Sequence, residues 1–168
     1  MNLQNNYKHI KSVAKSVRII AVTKYVDTDK ILEAYSAGIR DFGENKAQDA
    51  EAKRAELPEE VNRNSVWHFL GHLQTNKVKK VVGFYDYIHS VDSLKLAQQI
   101  NTTAKSRNLT QNILIQVNVA EEKTKYGFNL NDLANSFKEI LEMENVNVSG
   151  LMTMAPFTKD QAEIRQVF

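Results

Sequence analysis

Side chains able to bind or react close most of the apolar runs in this sequence. They are Lys24, Glu44 and Asn45, His68, His89 and Ser90, Asn118, and Met152 with Thr153. Lys24 is the most informative, because it closes the apolar, partly β-branched run RIIAVTK, which is interpreted as a fully buried strand. An amine partly removed from water holds its proton less tightly and can form a Schiff base with an aldehyde. Spacing alone also allows a lysine whose stem packs and whose amine reaches solvent.

Histidine and asparagine side chains give weaker signals. His68 and His72 are four residues apart, about 13 Å along a strand, so they share a metal ion only if a turn at Gly71 folds them together. A structural hydrogen bond explains His68 as well as a ligand contact does, and it explains His72 and His89 better. Asn45 either orients a ligand through its amide or caps the following helix.

Several classes of site have no support in the sequence. Met152 and Met154 alternate with Thr153, a spacing that core packing explains more simply than ligand contact does. There is no cysteine, which removes disulfides, thiolate nucleophiles and zinc–cysteine sites and agrees with the reducing cytoplasm. No P-loop, dinucleotide glycine fingerprint, nucleophile elbow or paired-carboxylate signature is present. Most standard enzyme classes are therefore not indicated.

Charge and hydropathy exclude two kinds of partner. With 22 Lys and Arg against 20 Asp and Glu, the net charge is only +2, which is too even for nucleic-acid or membrane-surface binding. No segment approaches the ~20 apolar residues that a membrane helix needs, and the first residues contain no apolar run of signal-peptide length. We expect a cytoplasmic protein without nucleic-acid or membrane partners.

Strand-like and helix-like segments alternate along the chain and must position these side chains. After a leading helix over 3–17, strand-like runs cover 18–24, 41–45, 66–71, 85–91, 111–119 and 146–154, and helical spacing follows each. Gly38 is expected to end the first of these helices, and Asp92 or Ser93 to cap the fourth. Such apolar strands predict a parallel sheet covered by helices, either doubly wound or a barrel.

Two further features concern surface and boundaries. The segment LPEEVNRN around Pro58 is interpreted as a surface loop, and no linker divides the chain, so a single domain over 1–168 is predicted. The helix-like segment 130–143 carries one apolar stripe of Leu130, Leu133, Phe137 and Leu141. In a parallel barrel, functional side chains gather at the carboxyl ends of the strands, where the candidate residues lie.

Six blocks together resemble the pyridoxal-phosphate homeostasis proteins in order and spacing. They are AVTK at 21–24, FGEN at 42–45, WHFLGHLQTNK at 67–77, HSVD at 89–92, QVNVAEEKTKYGF at 116–128 and GLMTMAP at 150–156. Each block alone is weak, but the combination is specific and covers nearly the whole chain. The resemblance implies a TIM-type (β/α)8 barrel like the alanine racemase N-terminal domain, here with about six β/α units and not closed.

The resemblance also implies a site and a role. The lysine matching Lys24 holds pyridoxal 5′-phosphate as an internal aldimine, and Asn45, His68 and Met152 fall in blocks that line the cofactor pocket. Family members are thought to bind and buffer the cofactor without turnover, so no catalytic residue and no metal ligand is expected. The implied partners are the cofactor and the apo-enzymes that receive it, and the full-length protein is expected to be a monomer.

The resemblance stops before the family's last segments, a Ser-Gly-Met segment and a Gly-Ser-Thr…Val-Arg-Ile-Gly segment that form most of the phosphate cup. Because this sequence ends at Phe168, we expect an incomplete barrel, poor cover over Ile164, Val167 and Phe168, marginal stability or aggregation, and weakened cofactor retention. A racemase-like or aldolase-like Schiff-base enzyme, and a truncated fragment without function, are the alternative hypotheses.

Overall fold

The computed structural model describes residues 2–119 and 125–168, in two compact units, Met1–Leu70 and Gly71–Phe168. Within the described residues, each unit contains three strands paired in parallel in their chain order. The predicted alternation of strands and helices is therefore confirmed within each unit. Residues 120–124 of the block QVNVAEEKTKYGF lie outside the described residues. The single domain over 1–168 stays a prediction.

The amino-terminal unit packs its helices on a short parallel sheet. Its elements are α1 (Leu3–Ala14), β1 (Ala21–Val22), α2 (Thr28–Ser36), β2 (Asp41–Glu44), α3 (Ala47–Glu56), α4 (Glu59–Arg63) and β3 (Val66–Phe69). Strand β2 lies between β1 and β3, with Phe42 opposite Ala21 on one side and Trp67 on the other. The rings of Phe42 and Trp67 are fully buried, with centroids 5.5 Å apart, and form the core of this unit.

Two predictions for this unit are wrong. The run 18–24 is not a fully buried strand: β1 has only two residues, and Val22 is 52% exposed. Within this unit β1 pairs only with β2, so its side chains have a neighbouring strand on one side alone. The segment around Pro58 is not a loop, because Pro58 is the N-cap residue of α4 and Val61 of that helix is buried. Proline suits this position, since the first amide groups of a helix need no intrahelical partner.

The carboxyl-terminal unit repeats the same architecture. Its elements are a 3₁₀ turn (Thr75–Lys77), α5 (Val78–Val81), β4 (Tyr87–Val91), α6 (Leu94–Ser106), β5 (Gln111–Gln116), α7 (Leu130–Leu141), β6 (Val146–Met152) and α8 (Gln161–Val167). Strand β5 lies between β4 and β6, with Ile113 opposite Ile88 and Val148. Helix α6 is capped by Ser93, whose Oγ accepts a hydrogen bond from the Leu96 amide at 3.3 Å. Of the two predicted caps, the structure selects Ser93.

The helix ends agree with the sequence signals, and one apolar face is open. Gly38 follows the C-cap residue of α2 and has φ +99°, a left-handed conformation that favours glycine. The predicted stripe on α7 is confirmed as one helix face, yet Leu130 and Leu141 are each 55% exposed. That face and β6 line a cavity of about 590 Å³. Among the described residues, no helix combines the length and the apolar character required to cross a membrane.

Candidate functional site

Lys24 lies just past the carboxyl end of β1, in a tight turn. The Thr23 amide donates to the Gly43 carbonyl at 2.9 Å, so pairing with β2 continues one residue beyond the strand. The Val26 amide then donates to the Thr23 carbonyl at 3.1 Å and closes the turn that contains Lys24. Lys24 is half-buried, and its Nζ lies 5.0 Å from the centroid of the exposed Tyr25 ring. The lysine thus stands at the strand end where the sequence predicts it.

Asn45 lies beside Lys24 at the same edge of this sheet. Val22 pairs with Gly43, and Lys24 and Asn45 each follow two residues later on neighbouring parallel strands. Asn45 occupies the bend between β2 and α3 and is half-buried. The capping interpretation of Asn45 is wrong, because the N-cap residue of α3 is Lys46, and the Lys46 side chain makes no capping hydrogen bond. The side-chain amide of Asn45 therefore does not cap α3.

One face of the β1–β2–β3 sheet is occupied by helix α3. The Lys53 amine of α3 lies 2.9 Å from the Glu44 carboxylate, and the Arg54 guanidinium lies 5.2 Å from the Trp67 ring. Glu44 and Trp67 therefore point toward the helices. Successive residues of a strand point to opposite faces, so their neighbours Gly43 and His68 belong to the other face.

Lys24 leaves the sheet on this second face, because it follows Thr23, which contacts Glu44 on the helix side. A Cβ atom on Gly43 would lie 2.4 Å from Leu70 Cδ1 and 3.1 Å from Ile20 Cγ2. Only a residue without a side chain lets Leu70 and Ile20 pack this closely over β2. The face that carries Lys24 therefore has a patch of apolar carbon over Gly43.

His68 lies on the same face but has a structural partner. Its ring is 1% exposed, and its Nε2 lies 3.0 Å from Oδ1 of Asp41. The same carboxylate oxygen is 3.7 Å from the Arg18 guanidinium. Asp41 begins β2, so the Nε2 of His68 is turned toward the amino-terminal end of the strands, away from Lys24. A ligand contact of His68 stays a prediction.

Met152 belongs to the carboxyl-terminal unit and is described within it. It is the last residue of β6 and is half-buried, and its carbonyl accepts a hydrogen bond from the Val117 amide at 2.9 Å. The Thr153 hydroxyl donates to the Val117 carbonyl at 3.0 Å. Thr153 therefore anchors the end of β6, and the role of Met152 as a ligand contact stays a prediction.

The other candidates of this unit have structural partners or are enclosed. His89 makes an edge contact with Tyr87, with ring centroids 6.5 Å apart. Asn118 donates its side-chain amide to the Lys125 carbonyl at 3.3 Å. Ser90 is 1% exposed, and its hydroxyl has no hydrogen-bond partner among the described residues. Within that part of the chain no group of three or more His, Asp or Glu side chains could hold a metal ion.

Sequence reasoning missed a buried network behind Lys24. Oε1 of Glu44, a residue with 0% exposure, accepts from the Thr23 hydroxyl at 2.7 Å and from the Lys53 amine at 2.9 Å. The Lys53 amine also donates to the Thr23 carbonyl at 2.7 Å. A signal was present, because Ala50 and Lys53 are three residues apart on α3, and helical spacing places Lys53 beside the buried Ala50.

Comparison with known sequences gives a consistent result. The family model of the alanine racemase N-terminal domain matches residues 1–167. The pyridoxal phosphate homeostasis protein of Aquifex aeolicus is 38% identical over 151 residues, which are 90% of this chain and 65% of that protein. The protein of the same name from Pasteurella multocida is 32% identical over 167 residues, covering 99% of this chain and 71% of that protein. The chain thus spans about 65% of the Aquifex protein.

Solved structures agree with the sequence matches. The structure of PipY from Synechococcus elongatus without pyridoxal phosphate has a TM-score of 0.88 at 35% identity and covers 98% of this chain and 80% of PipY. PipY with pyridoxal phosphate bound has a TM-score of 0.86 at 34% identity, with coverage of 98% and 79%. An alanine racemase of Clostridium difficile, only 16% identical, has a TM-score of 0.80 and covers 99% of this chain and 44% of the racemase. The predicted α/β fold of the alanine racemase N-terminal type is confirmed.

Proposed function

This chain belongs to the family of pyridoxal phosphate homeostasis proteins, and from that membership we propose that it binds pyridoxal 5′-phosphate covalently at Lys24 and holds it without turnover. The observation that carries the proposal is the position of Lys24 itself. The half-buried Lys24 leaves the carboxyl end of a parallel strand, beside Asn45. A related structure, PipY, is known with pyridoxal phosphate bound.

The residues around Lys24 fit such a ligand. The cofactor supplies an aldehyde, to whose carbon the Lys24 amine adds while the carbonyl oxygen leaves as water. Leu70 and Ile20 place apolar carbon over Gly43 on the same face of the sheet. The Asn45 amide, which does not cap α3, is available to hydrogen-bond a polar ring substituent. His68 and Met152 are proposed as further contacts on the strength of the family blocks in which they fall.

Storage rather than catalysis is the role we propose. Relatives carry the name of homeostasis proteins, and the likeness to alanine racemase, at 16% identity, concerns the fold alone. A racemase-like or aldolase-like reaction would need an acid or base facing Lys24. On the face of the sheet that carries Lys24, the Nε2 of His68 is engaged with Asp41. We propose a cytoplasmic protein, monomeric at full length, that passes the cofactor to apo-enzymes.

Visible absorbance of the purified chain with added pyridoxal 5′-phosphate tests this proposal. Wild type is expected to develop a band that borohydride removes, and digestion should then locate the reduced cofactor on the peptide containing Lys24. Lys24→Ala should lose the band, whereas Lys80→Ala, which removes an exposed lysine of α5, should keep it. Equal labelling of Lys24→Ala, or no reducible band in a wild-type chain that circular dichroism shows to be folded, would refute covalent binding at Lys24.

Turnover is measured separately. We expect the loaded chain to leave the enantiomeric composition of added alanine and other amino acids unchanged over many hours. Steady racemisation or carbon–carbon bond cleavage that depends on Lys24 would establish the enzymatic alternative instead.

A further inference from the structure

The turn that carries Lys24 is held from behind by helix α3. The Lys53 amine donates to the Thr23 carbonyl at 2.7 Å, and the same carbonyl accepts the Val26 amide at 3.1 Å, the bond that closes the turn. One oxygen atom thus joins α3 to the turn. Since Lys24 is bonded directly to Thr23, the direction of that carbonyl sets where the Lys24 side chain begins.

Glu44 fixes the Lys53 amine in place. Its Oε1 lies 2.9 Å from that amine and 2.7 Å from the Thr23 hydroxyl, so carboxylate, amine and Thr23 form a closed triangle. The Glu44 side chain is 0% exposed and that of Lys53 only 15% exposed, so water screens this ion pair weakly. The strand alone gives little support, because β1 is two residues long.

Loss of the Lys53 amine would leave the Glu44 carboxylate buried without its ion-pair partner. Oε2 of Glu44 has no hydrogen-bond partner among the described residues, so the network depends on the contacts of Oε1. Without Lys53, the Thr23 hydroxyl would be the remaining partner of a fully buried carboxylate. Such a group is stable only if it gains water or moves. Loss of the Lys53 amine also removes the bond between α3 and the Thr23 carbonyl.

We propose that Lys53, acting through Glu44 and the Thr23 carbonyl, is a positioning residue that aims the Lys24 amine at its ligand. Lys53 does not touch the ligand in this arrangement, because it lies on the helix side of the sheet and Lys24 on the opposite side. The proposal rests on covalent binding at Lys24 for its consequence, but the geometry of the amine is accessible without any cofactor.

Two readouts test the inference in Lys53→Met, which keeps the length of the side chain and removes its charge. The apparent affinity for pyridoxal 5′-phosphate, measured as the borohydride-reducible adduct on Lys24, should fall about tenfold, since a small misplacement of a reacting group is costly. The rate at which a small amine-reactive reagent acylates Lys24, read by mass spectrometry, should change severalfold, whereas the rate at exposed Lys80 should not. Lys53→Arg retains a cation and should recover part of both properties.

Asn62→Ala is the matched control for stability. Asn62 donates to the carbonyls of Arg54 and Leu57 at the end of α3 and does not contact the network. It should lower the unfolding midpoint without altering the acylation rate of Lys24. An unchanged Lys24 acylation rate in folded Lys53→Met, or an equal change in Asn62→Ala, would overturn the inference. If wild type forms no adduct at Lys24, the proposed function fails, and the acylation rates alone decide the role of Lys53.

Discussion

The side chain of Leu70 fills the space that a Cβ atom on Gly43 would need, because that atom would lie 2.4 Å from Leu70 Cδ1. We expect Gly43→Ala to lower the free energy of unfolding by about 1–3 kcal/mol, the usual cost of forcing an extra carbon into a packed site. Urea unfolding of Gly43→Ala, Leu70→Ala and the double variant measures this. The double variant should lose less stability than the sum of the single changes; strict additivity would show that the two side chains do not compete.

Alanine substitutions at two glycines of the carboxyl-terminal unit would separate the cost of a steric clash from the cost of an unfavourable backbone conformation. Gly127 and Gly150 have φ values of +135° and +153°, but a Cβ on Gly127 would lie 2.7 Å from the Asn118 amide nitrogen, and one on Gly150 would meet nothing within 4 Å. Both alanine variants carry the backbone penalty of about 1–3 kcal/mol. The free energy of unfolding of Gly127→Ala should be at least about 1 kcal/mol lower than that of Gly150→Ala, since a backbone atom must move to make room for the Cβ atom. Equal thermal midpoints would contradict this.

The buried amide of Gln111 joins β5 to the segment before β4. It is 2% exposed, accepts the Gly83 amide at 2.9 Å, and donates to the Tyr85 and Asp86 carbonyls at 3.1 and 3.2 Å. Gln111→Met keeps the volume and removes one hydrogen bond from each of these backbone groups, so we expect a loss of about 1–3 kcal/mol in the free energy of unfolding.

Gln98→Met is the control for Gln111→Met. Gln98 is exposed and donates to Glu139 at 2.6 Å on the helix surface. Its replacement should change stability by less than about 0.5 kcal/mol. Chemical denaturation curves that give the two variants equal midpoints would show that the Gln111 amide contributes no more than a surface contact.

The apolar cavity between α7 and β6 should govern solubility. Leu151 of β6, which lines it, is 60% exposed, whereas Ile140 of α7 is fully buried. We expect Leu151→Lys to reduce light scattering at high protein concentration and to leave the unfolding midpoint unchanged, because exposed apolar patches promote association. Ile140→Lys should instead unfold the unit. Greater scattering from Leu151→Lys would mean that this surface does not drive association.

Much of this fold follows from periodicity, and the exceptions have physical causes. The six strand runs and the caps at Gly38 and Ser93 were predictable, since each depends on neighbours close in sequence. The exposure of Val22 was not, because burial of a strand depends on what lies beside it. The helix α4 after Pro58 was missed, since five residues are too few for a periodic signal.

The candidate site likewise contains a local feature, which the sequence predicts, and long-range contacts, which it does not predict. Lys24 at a strand end is a local feature, and the structure bears out its position. The contact from His68 to Asp41 spans 27 residues, and the bond from Lys53 to the Thr23 carbonyl spans 30. Neither can be inferred from residues that are close together in the sequence. Such long-range pairs appear only once the register of the strands and the rotation of α3 are known.

The contact between His68 and Asp41 determines which nitrogen of the imidazole ring faces the carboxylate. A carboxylate can only accept, so the hydrogen of this contact is carried by Nε2 of His68 whether the ring is neutral or protonated. A ring flipped by 180° about its Cβ–Cγ bond would present a carbon atom to that carboxylate, so the contact fixes the orientation of the imidazole.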